Sequence, residues 1–169
     1  MLASLWQWRF HFLLAVFLIV LAWFGWAGLE HSRSGVENWL SPVINDGEIA
    51  AFDWVKANTA KKDTFMACIF EGESLMGTTL RESVEGGDWA VVPDVLDRMA
   101  DADMFFFDSS GADASAIAKF YNAKYVWVTK GRKIFCGYGW KDIPLKKFDD
   151  PVYFTKLFEN DGVIIYGVN

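Results

Sequence analysis

Apolar residues follow two regimes along this 169-residue chain. From Phe12 to Leu29 they are continuous, FLLAVFLIVLAWFGWAGL, without a charge. At about 1.5 Å of rise per residue, such a helix crosses or nearly crosses a bilayer core of about 30 Å. Trp6 and Trp8 precede the run, and Trp23 and Trp26 lie near its far end, as interfacial aromatics do. Past Glu30 the pattern breaks into short segments with turns between them.

The spacing in those segments predicts alternating helices and strands. Asn45 followed by Glu48 makes a capping box for a helix carrying Ile49, Phe52 and Val55. TFMACIF, 64–70, has the length of a buried strand. Pro93 opens a second helix with Val95, Leu96 and Met99 on its buried side, and MFFF, 104–107, reads as the next strand. Ala114, Ile117, Ala118 and Tyr121 fit a helix that Asn122 ends in the left-handed region. YVWVT and KIFCGYG flank Gly131 as a hairpin; Tyr153, Phe154, Leu157 and Phe158 form a last helical stripe, and VIIYGV a closing strand. The fold class expected is α/β: an N-terminal transmembrane helix, then a small α/β sandwich with a mostly parallel, partly mixed sheet. The expected domains are an anchor over 1–30, a juxtamembrane connector over 31–45 and a soluble α/β domain over 46–169.

A secretory signal peptide is the rival reading of the first segment, with Gly25 and Ala27 as a small-residue cleavage site. The apolar run exceeds the usual signal core, and only Arg9 and the free amine lead it. Flanking charge is almost balanced, since Arg33 is diluted by Glu30 and Glu37, and it leans toward a cytoplasmic amino terminus. The soluble domain is then expected outside the cytoplasm, on a single-pass cell-membrane protein.

Charge narrows the partners. All 22 Asp and Glu lie from Glu30 onward, so the soluble part is acidic, which argues against nucleic acid. Nine acids and one base fall between Glu82 and Asp113, and eight bases and one acid between Lys119 and Lys147. The ordinary account of that asymmetry is two solvated faces of one domain.

Chemistry is constrained by absence as well. His11 and His31 are the only histidines, and both belong to the membrane segment. Ser-His-Asp and Cys-His catalysis and the usual zinc sites are therefore not expected in the soluble domain, nor is a cofactor. Cys68 and Cys136 read as small buried hydrophobes in strands, and a bridge between them requires Cα atoms within about 7 Å.

DSSGAD, 108–113, reads as a helix start in which Ser110 and Asp113 form a cap and Gly111 turns the chain. It has neither the glycines nor the lysine of a phosphate loop, and Asp108 and Asp113 repel anions. Glu71, Glu73 and Asp108 are the catalytic candidates, as paired carboxylates at adjacent strand ends of a membrane-tethered hydrolase. Asp101, Asp103, Asp108 and Asp113 lack EF-hand spacing for calcium. Asp88 and Trp89, after paired glycines, are the ligand-binding candidates, with Trp89 suited to stacking on a sugar or an apolar surface of a stand-alone sugar- or peptide-binding module.

FDWVKANTAKKDTFMA (52–67), DASAIAKFYNAKYVWVT (113–129) and VYFTKLFENDGVIIYGV (152–168) together resemble the extracytoplasmic carboxy-terminal domain of archaeal and bacterial polytopic GT-C-class membrane glycosyltransferases. Ala60 stands where that family has proline. The multi-helix region holding the family's catalytic acids and lipid-sugar site has no counterpart in this chain, so no catalytic residue carries over. The resemblance implies a non-catalytic accessory or interaction module in glycosylation, packed on a polytopic membrane protein or helping to position a glycan or protein acceptor.

Overall fold

The computed structural model describes residues 2–40, 44–86, 94–137 and 139–169. The chain divides into two compact units, Met1–Pro42 and Val43–Asn169. The first is a single helix, α1 (Leu2–Leu40), and it carries a 26-residue stretch, His11–Val36, long and apolar enough to cross a membrane. Residues 31–40, expected as a connector, continue this helix.

The second unit is built on a five-stranded sheet in the order β2-β1-β3-β7-β6. Its strands are β1 (Thr64–Met66), β2 (Glu82–Ser83), β3 (Ala123–Thr129), β6 (Phe154–Glu159) and β7 (Val163–Val168). β1 runs parallel to both β2 and β3, whereas β7 is antiparallel to β3 and β6, which makes the sheet mixed. Strand residues point alternately to the two faces. Val126, Val128, Ile164 and Tyr166 therefore join one core with Phe105, Phe106, Phe148 and Phe154. Trp127, Val163 and Ile165 join the other with Phe52, Val55 and Leu75. Both faces are covered, as a continuous apolar strand requires. The covering helices are α2 (Asp46–Asn58), α3 (Ile69–Thr79), α4 (Val95–Asp103) and α5 (Gly111–Phe120).

Local chemistry sets several boundaries as expected. The Asn45 side chain accepts from the Glu48 N–H at 2.9 Å, and the Glu48 carboxylate accepts from the Asn45 N–H at 2.7 Å, completing the capping box. Asn122 closes α5 at φ +54°. Gly72 lets α3 lie against the chain after β2, because a Cβ there would sit 2.0 Å from the Glu85 carbonyl oxygen.

Four elements differ from expectation. The 64–70 run is a strand only to Met66, and α3 begins at Ile69, so Glu71 and Glu73 are helical. MFFF is not a strand: Met104–Asp108 is a π-helix continuing α4. A short apolar run is ambiguous between strand and buried helix, and the wide turn presents adjacent Phe105 and Phe106, ring centroids 4.8 Å apart, to one core. No hairpin forms about Gly131: β3 pairs with β1 and β7, while β4 (Ile134–Cys136) pairs with β5 (Gly139–Lys141) in a separate two-stranded sheet. The last helical stripe is strand β6, in which a register shift between Lys156 and Phe158 leaves Leu157 exposed and imitates helical spacing. Leu96, expected in the core, is exposed on α4, and so is Ile49 on α2.

Cys68 and Cys136 are joined in a disulfide with Cα atoms 5.0 Å apart, tying the start of α3 to β4.

Candidate functional site

The polar loop after the π-helix is a helix cap. Ser110 is the N-cap of α5; its hydroxyl accepts from the Asp113 N–H at 3.2 Å and donates to the Asp113 carboxylate at 2.7 Å. The Asp113 charge lies in the first turn, where it complements the positive end of the helix.

Sequence reasoning missed what faces this loop. The chain from Pro144 through the 3-10 turn Leu145–Asp149 crosses to it and brings Lys146 and Lys147. The Lys147 ammonium donates to the Phe105 carbonyl of the π-helix and to the Ser109 hydroxyl at 3.2 Å, and that hydroxyl donates to the same carbonyl at 3.0 Å. Burial of the ammonium pulls the Lys147 pKa down to about 8, against the opposing charge of Asp108. Between loop and turn lies a cavity of about 400 Å³ lined by Phe107, Ser109, Gly111, Pro144, Lys146, Lys147 and Asp150. The two lysines stood in the basic half of the chain, where composition could not separate an inward-turned cation from a solvated one.

The catalytic candidates are dispersed. Glu71 and Glu73 are two positions apart on α3, about 200° around the helix. Glu71 is buried, and Glu73 and Asp108 are exposed. Glu71 meets Arg132 at 3.1 Å, and the same guanidinium meets Glu48 at 2.8 Å. Glu48 also completes the α2 capping box from the third position of the helix and accepts from the Thr129 hydroxyl at 3.1 Å. This cluster cross-links α2, α3 and the end of β3 beneath the surface. Desolvation raises the Glu71 pKa to about 7, Arg132 opposing and Glu48 reinforcing the rise.

Glu85 has no basic partner among the described residues. Its carboxyl is buried, with one oxygen 4.0 Å from the Cys136 sulfur, and its pKa is raised to about 8 by desolvation and then by the charges of Glu71 and Asp103. Cys68, Glu85 and Cys136 bring their ligand atoms within 4.8 Å of one another, but the two sulfurs are bonded to each other and offer no thiolate to a metal. The four aspartates weighed for calcium are divided as well. Asp101 accepts from the Tyr121 hydroxyl at 2.6 Å, Asp103 pairs with Lys141, and Asp113 serves the cap. Asp88 and Trp89 lie outside the described residues.

No family model matches the chain, and no curated protein matches it. Among solved structures, it is similar to the C-terminal globular domain of an oligosaccharyltransferase from Archaeoglobus fulgidus. The TM-score is 0.56 at 14% sequence identity, over 75% of this chain and 99% of that one. The α/β unit has that domain's fold.

Proposed function

We propose that the chain is a membrane-anchored accessory module of protein glycosylation, held by residues 1–30, with the α/β domain outside the cytoplasm. It packs on a polytopic glycosyltransferase-like membrane protein, or helps that protein position a glycan or protein acceptor, and is not itself a catalyst. The observation that carries this reading is the fold shared with the oligosaccharyltransferase domain. Two features support it. The His11–Val36 stretch is long and apolar enough to span a bilayer, and Gly25 and Gly28 provide small residues for packing against another membrane helix. The Cys68–Cys136 bridge suits an oxidising compartment.

A hydrolase using Glu71, Glu73 and Asp108 gains no support from their placement, since one carboxyl is sealed in an ion cluster and the others face solvent. The accessory reading is tested by solubilising native membranes gently and recovering the tagged chain. A multi-spanning membrane protein is expected in the eluate at comparable amount. Recovery of the chain alone, under conditions that preserve known membrane complexes, refutes the proposal.

A further inference from the structure

We propose that the cavity between residues 107–111 and 144–150 binds a singly charged oxyanion, a phosphate diester, with Lys146 and Lys147 as its cationic wall.

Lys147 is the starting point. An ammonium has three protons to donate, and the Phe105 carbonyl and the Ser109 hydroxyl take two of them. Lys124, Lys130, Lys141 and Lys156 each meet a carboxylate. Lys147 meets none among the described residues, although it is half-buried and has lost much of its water. Its lowered pKa, about 8, reflects that lost solvation. Asp108 acts on the ammonium from a distance without bridging it, and an oxyanion in the cavity supplies a direct ionic partner and raises the pKa further.

The cavity suits such a ligand in size and lining. Its 400 Å³ falls within the range of small-molecule pockets. Phe107 and Pro144 offer apolar surface to the body of the ligand. Lys146 supplies a second positive charge and Asp150 one negative charge, leaving the lining one charge positive. Asp108 and Asp113 on the facing loop add repulsion. A monoanion is thus favoured over a dianion. The wide π-turn is what puts the Phe105 carbonyl and Ser109 under the same ammonium, and such turns recur at functional sites. The site does not depend on a polytopic partner.

The test uses the full chain with 13C-labelled lysine in zwitterionic nanodiscs, following the Lys147 side-chain titration by NMR. Dimethyl phosphate is the soluble monoanion, trimethyl phosphate its neutral control, sulfate the dianion, and nanodiscs containing phosphatidylglycerol present the same diester as a lipid headgroup. The Lys147 midpoint rises with dimethyl phosphate and not with trimethyl phosphate if the source is a free ligand. If only phosphatidylglycerol raises it, the source is a lipid. Exposed Lys124 serves as the reference and stays unmoved. Lys147→Met removes binding, and Lys146→Ser, at an exposed position, weakens it about fivefold without touching the fold. A Lys147 midpoint that neither diester moves overturns the proposal, as do tighter binding of sulfate than of dimethyl phosphate and unchanged affinity in Lys146→Ser.

Discussion

Glu85→Gln is expected to stabilise this protein at alkaline pH. Glu85 is buried, has no cation beside it among the described residues, faces the charges of Glu71 and Asp103, and touches a disulfide sulfur, which has no proton to donate. Its pKa is therefore about 8 in the fold against 4.5 for an ordinary glutamate. Below the ordinary value both folded and unfolded chains carry the proton, and the acid costs nothing. Above it the unfolded chain releases the proton and the folded chain retains it. Stability then falls by about 1.4 kcal/mol per pH unit until the folded pKa is passed, about 4 kcal/mol between about pH 5 and pH 8. Glutamine keeps the shape of the neutral acid and cannot ionise. The variant should match the parent near pH 5 and exceed it by about 4 kcal/mol near pH 9. Denaturant unfolding of the full chain in zwitterionic micelles, followed by tryptophan fluorescence across that range, measures the difference. Glu71 contributes a slope of the same sign up to about 7, so the variant's curve is flattened rather than level. Parallel curves for parent and variant between pH 5 and 8 would refute the reasoning, because they mean Glu85 ionises in the fold as freely as in water.

Arg132→Met leaves Glu48 and Glu71 buried without their common cation; a loss of about 3–5 kcal/mol is expected in the same unfolding assay at neutral pH. The loss should shrink as pH falls and Glu71 takes up its proton; a constant loss would contradict that assignment. Cys68→Ser with Cys136→Ser opens a loop of 68 residues, and the chain-entropy account gives a destabilisation of about 4 kcal/mol, read from the shift in denaturation midpoint.

Elements stated by residues close together in the chain were legible. The Asn45–Glu48 box, the Ser110 cap and the left-handed Asn122 each involve groups no more than three or four positions apart, and the structure has all three. VIIYGV also emerged as the closing strand, because an apolar run of that length with β-branched residues offers few alternatives. Misreadings arose where local spacing mimics another element. The bulge in β6 displaces Leu157 and produces helix-like intervals, and MFFF satisfies the composition of a strand while continuing a helix. The paired-carboxylate reading of Glu71 and Glu73 went the same way, because it assumed a strand end where α3 had already begun.

Sequence alone determined that one long apolar helix precedes an acidic α/β domain without histidine, because composition and uninterrupted hydrophobicity need no knowledge of what touches what. Tertiary structure alone decided the sheet order, the Cys68–Cys136 bridge, the burial of Glu71 and Glu85, and the arrival of Lys147 at the Phe105 carbonyl. Each of these joins residues far apart in the chain. Their energies come from desolvation and close contact, which exist only once the strands have paired and the helices have covered both faces of the sheet.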